Sequence, residues 1–173
     1  MSQPILVTYA TRSGSTAGVA EAIAATLSEN GLLVDVRPMS EVTSLAAYRA
    51  VVAGSAIQGQ KWLPEAMRFV ELHRAELVQK PFAAFMVCIT LSMKDAGQYR
   101  QGLSSWLAPV RTLVPTVSEG MFAGVLDFHK MPLTLNTLFM RVPVLMGLWK
   151  EGDHRDWDAI HTWTRQIQPL ITR

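Results

Sequence analysis

The stretch Thr8–Ala24, "TYATRSGSTAGVAEAIA", decides how the chain is read. An apolar run, Ile5-Leu6-Val7, leads into it, and an alanine-rich pattern of helical period follows. Between them lies Thr11-Arg12-Ser13-Gly14-Ser15-Thr16, a turn crowded with hydroxyls around one glycine. A strand, such a turn and then a helix bring unpaired backbone amides and the positive end of the helix dipole to one point. An anion is stabilised there by both effects. Gly14 lets the backbone curl closely round a ligand. Thr11, Ser13, Ser15 and Thr16 offer hydroxyl donors, and Arg12 offers charge-assisted bonds to a dianion. The competing use of these residues is N-capping by Ser13 or Ser15, but capping needs one hydroxyl rather than four.

Other phosphate loops are excluded by their spelling. A Walker loop ends in Gly-Lys-Ser/Thr, and no lysine occurs between Met1 and Asn30. The dinucleotide fingerprint G-x-G-x-x-G fails because only Gly14 and Gly18 are present. The acidic residues that a receiver domain carries after its first strand are absent too.

Outward from this stretch, strand and helix patterns alternate. Strands are expected at Pro4–Tyr9, Leu32–Arg37, Ala50–Gly54, Phe82–Ile89 and Val117–Leu126, the last with Gly120 and Gly124 as bulge positions. Helices are expected at Ser15–Asn30, Leu45–Arg49, Leu63–Gln79, Asp95–Val114 and Asp156–Ile171. Strands joined by helices make a doubly wound α/β fold, here a five-stranded parallel sheet of order 2-1-3-4-5 with helices on both faces. Ligands of such sheets sit beyond the carboxyl ends of the strands, near the switch point between strands 1 and 3. The loops after strands 3 and 4 then flank any planar ring held there. Those loops are Gly54-Ser55-Ala56-Ile57-Gln58-Gly59 and Cys88-Ile89-Thr90-Leu91-Ser92. Trp62 either stacks on such a ring or packs at the start of the following helix. Lys94 either faces the ring or is solvated beside Asp95.

The chain has 173 residues, 49% hydrophobic and 17% charged, which suits one domain spanning residues 1–173 with a substantial core. A net charge of +2 is too weak to suggest nucleic-acid binding. The lone cysteine, Cys88, permits no internal disulfide, which suits a reducing, cytoplasmic compartment, and reads as a small buried residue. His73 reads as an exposed helical residue beside Arg74 and Glu76, and His129 and Lys130 as surface groups or partners for an acidic substrate. The histidines lack ligand spacing, so no metal site is expected. Met131–Trp149, "MPLTLNTLFMRVPVLMGLW", is nearly all apolar. Pro132, Arg141 and Pro143 argue against a clean membrane span. It reads as an apolar insertion after strand 5, packed on the domain, on a second copy in a homodimer, or on the inner face of the cell membrane.

Thr11-x-Ser13-Gly14-x-Thr16 resembles the flavodoxin phosphate loop, T/S-x-T/S-G-x-T. In order along the chain, "VVAGSAIQGQKWLPEAMRFV", "KPFAAFMV", "FAGVLDF", the apolar insertion and "DWDAI" are similar to the flavodoxin-like, menaquinone-dependent protoporphyrinogen oxidases. The resemblance implies a flavodoxin-like fold and an FMN cofactor. Thr11, Arg12, Ser13, Gly14, Ser15 and Thr16 would hold its phosphate, and Ser55, Ala56, Ile57, Gln58, Gly59, Thr90, Leu91 and Ser92 would surround its ring. A peptide flip near Gly59 is implied on flavin reduction. Electrons would pass from a reduced tetrapyrrole precursor through FMN to a quinone, with no catalytic side chain beyond those that orient the flavin. The alternative is a flavodoxin-type carrier serving a redox-protein partner. Such carriers are usually strongly acidic and lack the insertion.

Overall fold

The computed structural model describes residues 3–92, 100, 102–127, 142, 144–146 and 150–173. The expectations placed on Lys94, Asp95, His129, Lys130, Arg141 and most of Met131–Trp149 fall outside these residues.

β1 (Ile5–Ala10) is flanked by β2 (Val34–Pro38) and β3 (Ala50–Gln58), each pairing with it in parallel. β4 (Lys61–Trp62) folds back antiparallel on the end of β3. β5 (Phe82–Val87) and β6 (Ser118–Phe122) complete the parallel order β2-β1-β3-β5-β6. This is the order 2-1-3-4-5 of the α/β expectation. Successive residues of the central strands point to opposite faces. Leu6, Val51, Ala53, Phe82, Ala84 and Met86 enter one core, while Ile5, Val7, Val52, Ala83, Phe85 and Val87 enter the other. α1 (Ser15–Glu29) and α5 (Trp157–Ile171) cover the second face. α2 (Pro64–Leu72), α3 (Arg74–Leu77) and α4 (Ala108–Leu113) cover the first.

Several expected elements differ. Leu45–Arg49 is a turn rather than a helix. The Ser44 hydroxyl accepts from the Ala46 amide at 3.2 Å and the Tyr48 N–H donates to the Leu45 carbonyl at 3.0 Å, which closes one turn without continuing into a helix. Leu45 and Tyr48 still anchor the segment by burial. The helix expected over Leu63–Gln79 breaks at His73, which is buried rather than exposed. Its ring lies 4.8 Å from that of Phe69, one turn earlier, and its Nδ1 is 3.5 Å from Glu76 Oε1. Over Asp95–Val114, expected to be mostly helix, the described residues 100 and 102–113 are helical, with a 3-10 turn at Ser105–Leu107 and Pro109 near the start of α4. The fifth strand divides into β6 and β7 (Val125–Leu126). Gly120 is not a bulge, since it stays in register with Phe85. β7 pairs antiparallel with β8 (Gly152–Asp153), so a short ribbon joins the two ends of the stretch 127–151.

Close packing ties α5 to the sheet. Phe85, Phe122 and Trp163 form a cluster with ring centroids 5.5 to 6.2 Å apart, and Trp163 Nε1 donates to Ser118 Oγ at 3.1 Å. The Phe85 ring crosses directly over Gly54, where an added Cβ would lie 2.0 Å from ring carbon. Gly54→Ala is expected to cost about 2 kcal/mol or more by overpacking, as read from urea unfolding.

Outside the core, Asp35 gathers two donors. Tyr48 Oη donates to its Oδ2 at 2.6 Å and Arg37 Nε at 2.7 Å. Burial works against the Asp35 carboxylate, but the bonds from Tyr48 and Arg37 outweigh it and hold its pKa below 3.8. A depressed folded pKa stabilises above the unfolded value, and the contribution disappears as pH falls through the folded one. Tyr48→Phe is expected to cost about 1–2 kcal/mol at pH 7. Its deficit against the parent protein should shrink below pH 3.8 in urea titrations repeated across the acid range.

Candidate functional site

The carboxyl ends of β1, β3 and β5 open at one edge of the sheet. Thr11–Gly14 leaves β1 there and enters α1. Gly14 takes the left-handed conformation, φ +89°, with open space where a Cβ would sit. Its N–H donates to Thr11 Oγ1 at 3.0 Å, and its carbonyl accepts from the Gly18 N–H at 3.2 Å. The Thr11 hydroxyl thus shapes the turn. Gly14 occupies the N-cap without a side chain to offer, and no acidic residue lies in the first turn of α1. Neither Ser13 nor Ser15 caps the helix, so the capping use of these hydroxyls is not the one found.

Thr16 carries the strongest local signal. Its residue is fully buried, yet Oγ1 has no hydrogen-bond partner. Leaving a hydroxyl buried and unpaired costs about 1–3 kcal/mol. A hydroxyl oriented for a ligand at the mouth of α1 accounts for it, and the uncapped amides beside it suit an anion. The residues present therefore fit a phosphate group. Arg12 is placed elsewhere. Its guanidinium forms a fork with the carboxylate of Glu65 at the start of α2, at 2.5 and 3.1 Å, and both side chains are half exposed. A cleft of about 170 Å³ adjoins this point, lined by Tyr9, Thr11, Met39 and Glu65 among others. A larger hollow of about 520 Å³ flanks β6 and α5 and includes none of the loop residues.

The second expected loop is mostly strand. β3 runs on through Ser55, Ala56 and Ile57 to Gln58, and turns back through Gly59 and Gln60 into β4. Both turn residues have positive φ, +58° and +63°, which matches the right-handed twist of a tight hairpin. Ser55 is buried, and its Oγ both donates to the Ala56 carbonyl at 2.8 Å and accepts from the Leu63 N–H at 3.0 Å. Ser55 thereby fixes the start of α2 to β3, and its hydroxyl is not directed to a ligand. Ala56 and Ile57 pack partly on the core, leaving Gln58 and Gly59 exposed at the hairpin tip. Trp62 packs in the core rather than facing outward.

The third loop winds into a 3-10 turn, Ile89–Ser92, in which Ser92 Oγ donates to the Ile89 carbonyl at 2.7 Å. Thr90 and Leu91 are half-buried at the same sheet edge. Cys88 anchors this turn. Burial pushes its thiol above the ordinary value, against the lowering effect of amide hydrogen bonds from Leu91 and Thr90. A thiol held protonated and buried packs rather than reacts. His154 Nε2 meets the Lys150 carbonyl at 2.6 Å, and His161 Nδ1 meets Thr26 Oγ1 at 2.6 Å. Among the described residues no group of three His, Cys, Asp or Glu is arranged for a metal ion, and no helix is long and apolar enough to cross a membrane.

Two features near the site have no sequence signal. Glu65 draws Arg12 from the phosphate loop to α2. Arg155, just after β8, lies against α1 at Gly18 while its guanidinium grips Asp153 at 2.9 and 2.5 Å.

Known proteins agree with this geometry. Residues 6–150 match the family described as "Flavodoxin domain". No curated protein matches the chain. Among solved structures, a flavodoxin from the domain Archaea is 18% identical with a TM-score of 0.60, covering 98% of this chain and 99% of its own. A flavodoxin of Streptococcus pneumoniae TIGR4 is 14% identical with a TM-score of 0.58, covering 97% of each chain. Oxidised Flavodoxin 2 from Bacillus cereus is 25% identical with a TM-score of 0.51, covering 70% of this chain and 84% of its own. The chain belongs to the flavodoxin-domain family, and membership implies FMN as its cofactor and electron transfer as its work.

Proposed function

We propose that the chain is an FMN-dependent oxidoreductase of the protoporphyrinogen oxidase type, taking electrons from a reduced tetrapyrrole precursor and delivering them to a quinone. The observation that carries this reading is the apolar addition rooted by β7 and β8 at the ligand edge of the sheet. Its described residues Val142, Leu145 and Met146 are 48%, 85% and 70% exposed. Large apolar side chains exposed to water mark a surface for an apolar partner. A quinone or the membrane that contains it has that chemistry.

In this reading the first-turn amides of α1, with Ser13, Ser15 and Thr16, bind the phosphate. The β3–β4 hairpin tip and the Ile89–Ser92 turn orient the ring and limit its contact with water. FMN, when bound, supplies the two-electron chemistry, while the protein sets its position and electrostatic surroundings. A second reading, a carrier without a substrate of its own, is favoured by the solved flavodoxins that the chain spans almost end to end.

Anaerobic mixing of the FMN-loaded protein with protoporphyrinogen and a menaquinone analogue separates the two. Quinone-dependent turnover above the spontaneous rate is expected. Flavin that is reduced and reoxidised only by redox proteins would leave the carrier. The phosphate site has its own test in Thr16→Val. Losing a hydrogen bond to a charged group costs about 1.5–3 kcal/mol, so FMN affinity is expected to fall roughly tenfold or more in a flavin fluorescence titration. The ligand-free protein should be no less stable in urea, because the substitution removes a buried unpaired hydroxyl.

A further inference from the structure

The ribbon at the root of the insertion touches the phosphate helix at two points, both on its first turn. On the outgoing side, Gly124 precedes β7. A Cβ there would lie 3.4 Å from Ser15 Oγ and 3.1 Å from Val87 Cγ1. On the returning side, Arg155 follows β8, and its Nη1 lies where a Cβ on Gly18 would be, only 2.3 Å from that position. Ser15 and Gly18 are three residues apart and share one face of α1. The two strands of the ribbon are themselves locked, since Val125 pairs with Asp153, Leu126 with Gly152, and the His154 N–H donates to the Gly124 carbonyl at 3.1 Å.

Arg155 is tightly held. Its side chain is only 18% exposed. Asp153 takes both Nε and Nη2 of the guanidinium, and the Arg155 N–H donates to Asp153 Oδ1 at 3.0 Å. The ring of Trp157 lies beneath the charge at 4.4 Å, and Glu21, one turn beyond Gly18, attracts it further. A bidentate, stacked guanidinium is a rigid strut, which a lysine does not reproduce. Opposite it stands the turn of α1 that most needs support. That turn starts at Gly14 with no side-chain cap, so its amides are the part of the helix freest to fray.

We propose that Arg155 is a positioning residue for the cofactor's phosphate: braced by Asp153 and Trp157 and seated on Gly18, it holds the insertion root against the first turn of α1 and keeps the phosphate-binding amides in place. The proposal rests on the flavin reading above. Coupling of this kind is reciprocal, so phosphate in the loop must also steady the ribbon.

The test compares FMN with riboflavin, which lacks the phosphate, in flavin fluorescence titrations. Arg155→Ala is expected to weaken FMN by about fivefold or more, with riboflavin affinity little changed. Arg155→Lys should not restore it. Gly18→Ala is the second variant. Its Cβ would fall on Nη1, the guanidinium nitrogen that Asp153 does not bind, and push the strut off α1, so FMN affinity should fall, while the better helix propensity of alanine offsets the lost contact in thermal stability. In the parent protein, saturating FMN should slow hydrogen exchange at the His154 amide, and in both variants that protection should be lost. Equal losses for FMN and riboflavin, or unchanged FMN affinity in the folded Gly18→Ala protein, would overturn the role of Arg155 alone. A parent protein that binds no FMN would overturn the flavin reading and this proposal with it.

Discussion

β1, β3 and β5 have no side that faces water. Most residues of these strands are apolar on both faces, because helices cover both. That constraint fixes the direction of the chain. Parallel strands need crossovers, crossovers place helices on the two faces, and every strand then ends at the same edge. The Thr11–Gly14 turn, the β3–β4 hairpin and the Ile89–Ser92 turn lie at one edge for this reason. The buried polar side chains of these strands differ: the Thr8 hydroxyl has no partner, whereas Ser55 is fully engaged. Ser55 spends its hydroxyl on joining β3 to the start of α2.

At that edge the ordinary economy of a folded chain is set aside. Gly14 leaves α1 without a cap, and Thr16 buries a hydroxyl with nothing to bond. Both lower stability while the loop is considered by itself, and both make sense for a helix mouth that takes an anion. The contrast with α5 is direct. There Asp156 caps the helix conventionally, its Oδ1 accepting from the Ala159 N–H at 2.9 Å. One chain thus contains a helix start finished by its own side chain and another without a side-chain cap.

The strands and their order were legible because burial on both faces leaves unbroken apolar runs such as Ile5-Leu6-Val7 and Ala50–Ala53. The phosphate turn was legible because its hydroxyls and glycine are consecutive. What escaped depends on particular side chains or on contacts distant in sequence. Leu45–Arg49 is too short to nucleate a helix, and one bond from the Tyr48 N–H to the Leu45 carbonyl closes it as a turn. His73 looks exposed among charged neighbours, whereas Phe69, one turn away, shares its inward face. The β3–β4 hairpin turns through Gly59-Gln60, and a left-handed glutamine does not announce itself. Two-residue strands have no period to detect, so β8 was invisible and β7 was read as the end of the fifth strand. Arg12 faces a phosphate in the sequence and a carboxylate in the fold, because Glu65 comes close only once α2 is packed.

Because β7 and β8 run side by side, the two ends of the stretch 127–151 lie next to each other. Whatever lies between can lengthen, shorten or change composition at little cost, since loop-closure entropy grows only as the logarithm of length. The sheet is already complete at β6 before this excursion begins. Descent with modification can therefore rewrite the sequence between these two short strands as a removable fitting while the parallel sheet keeps its shape.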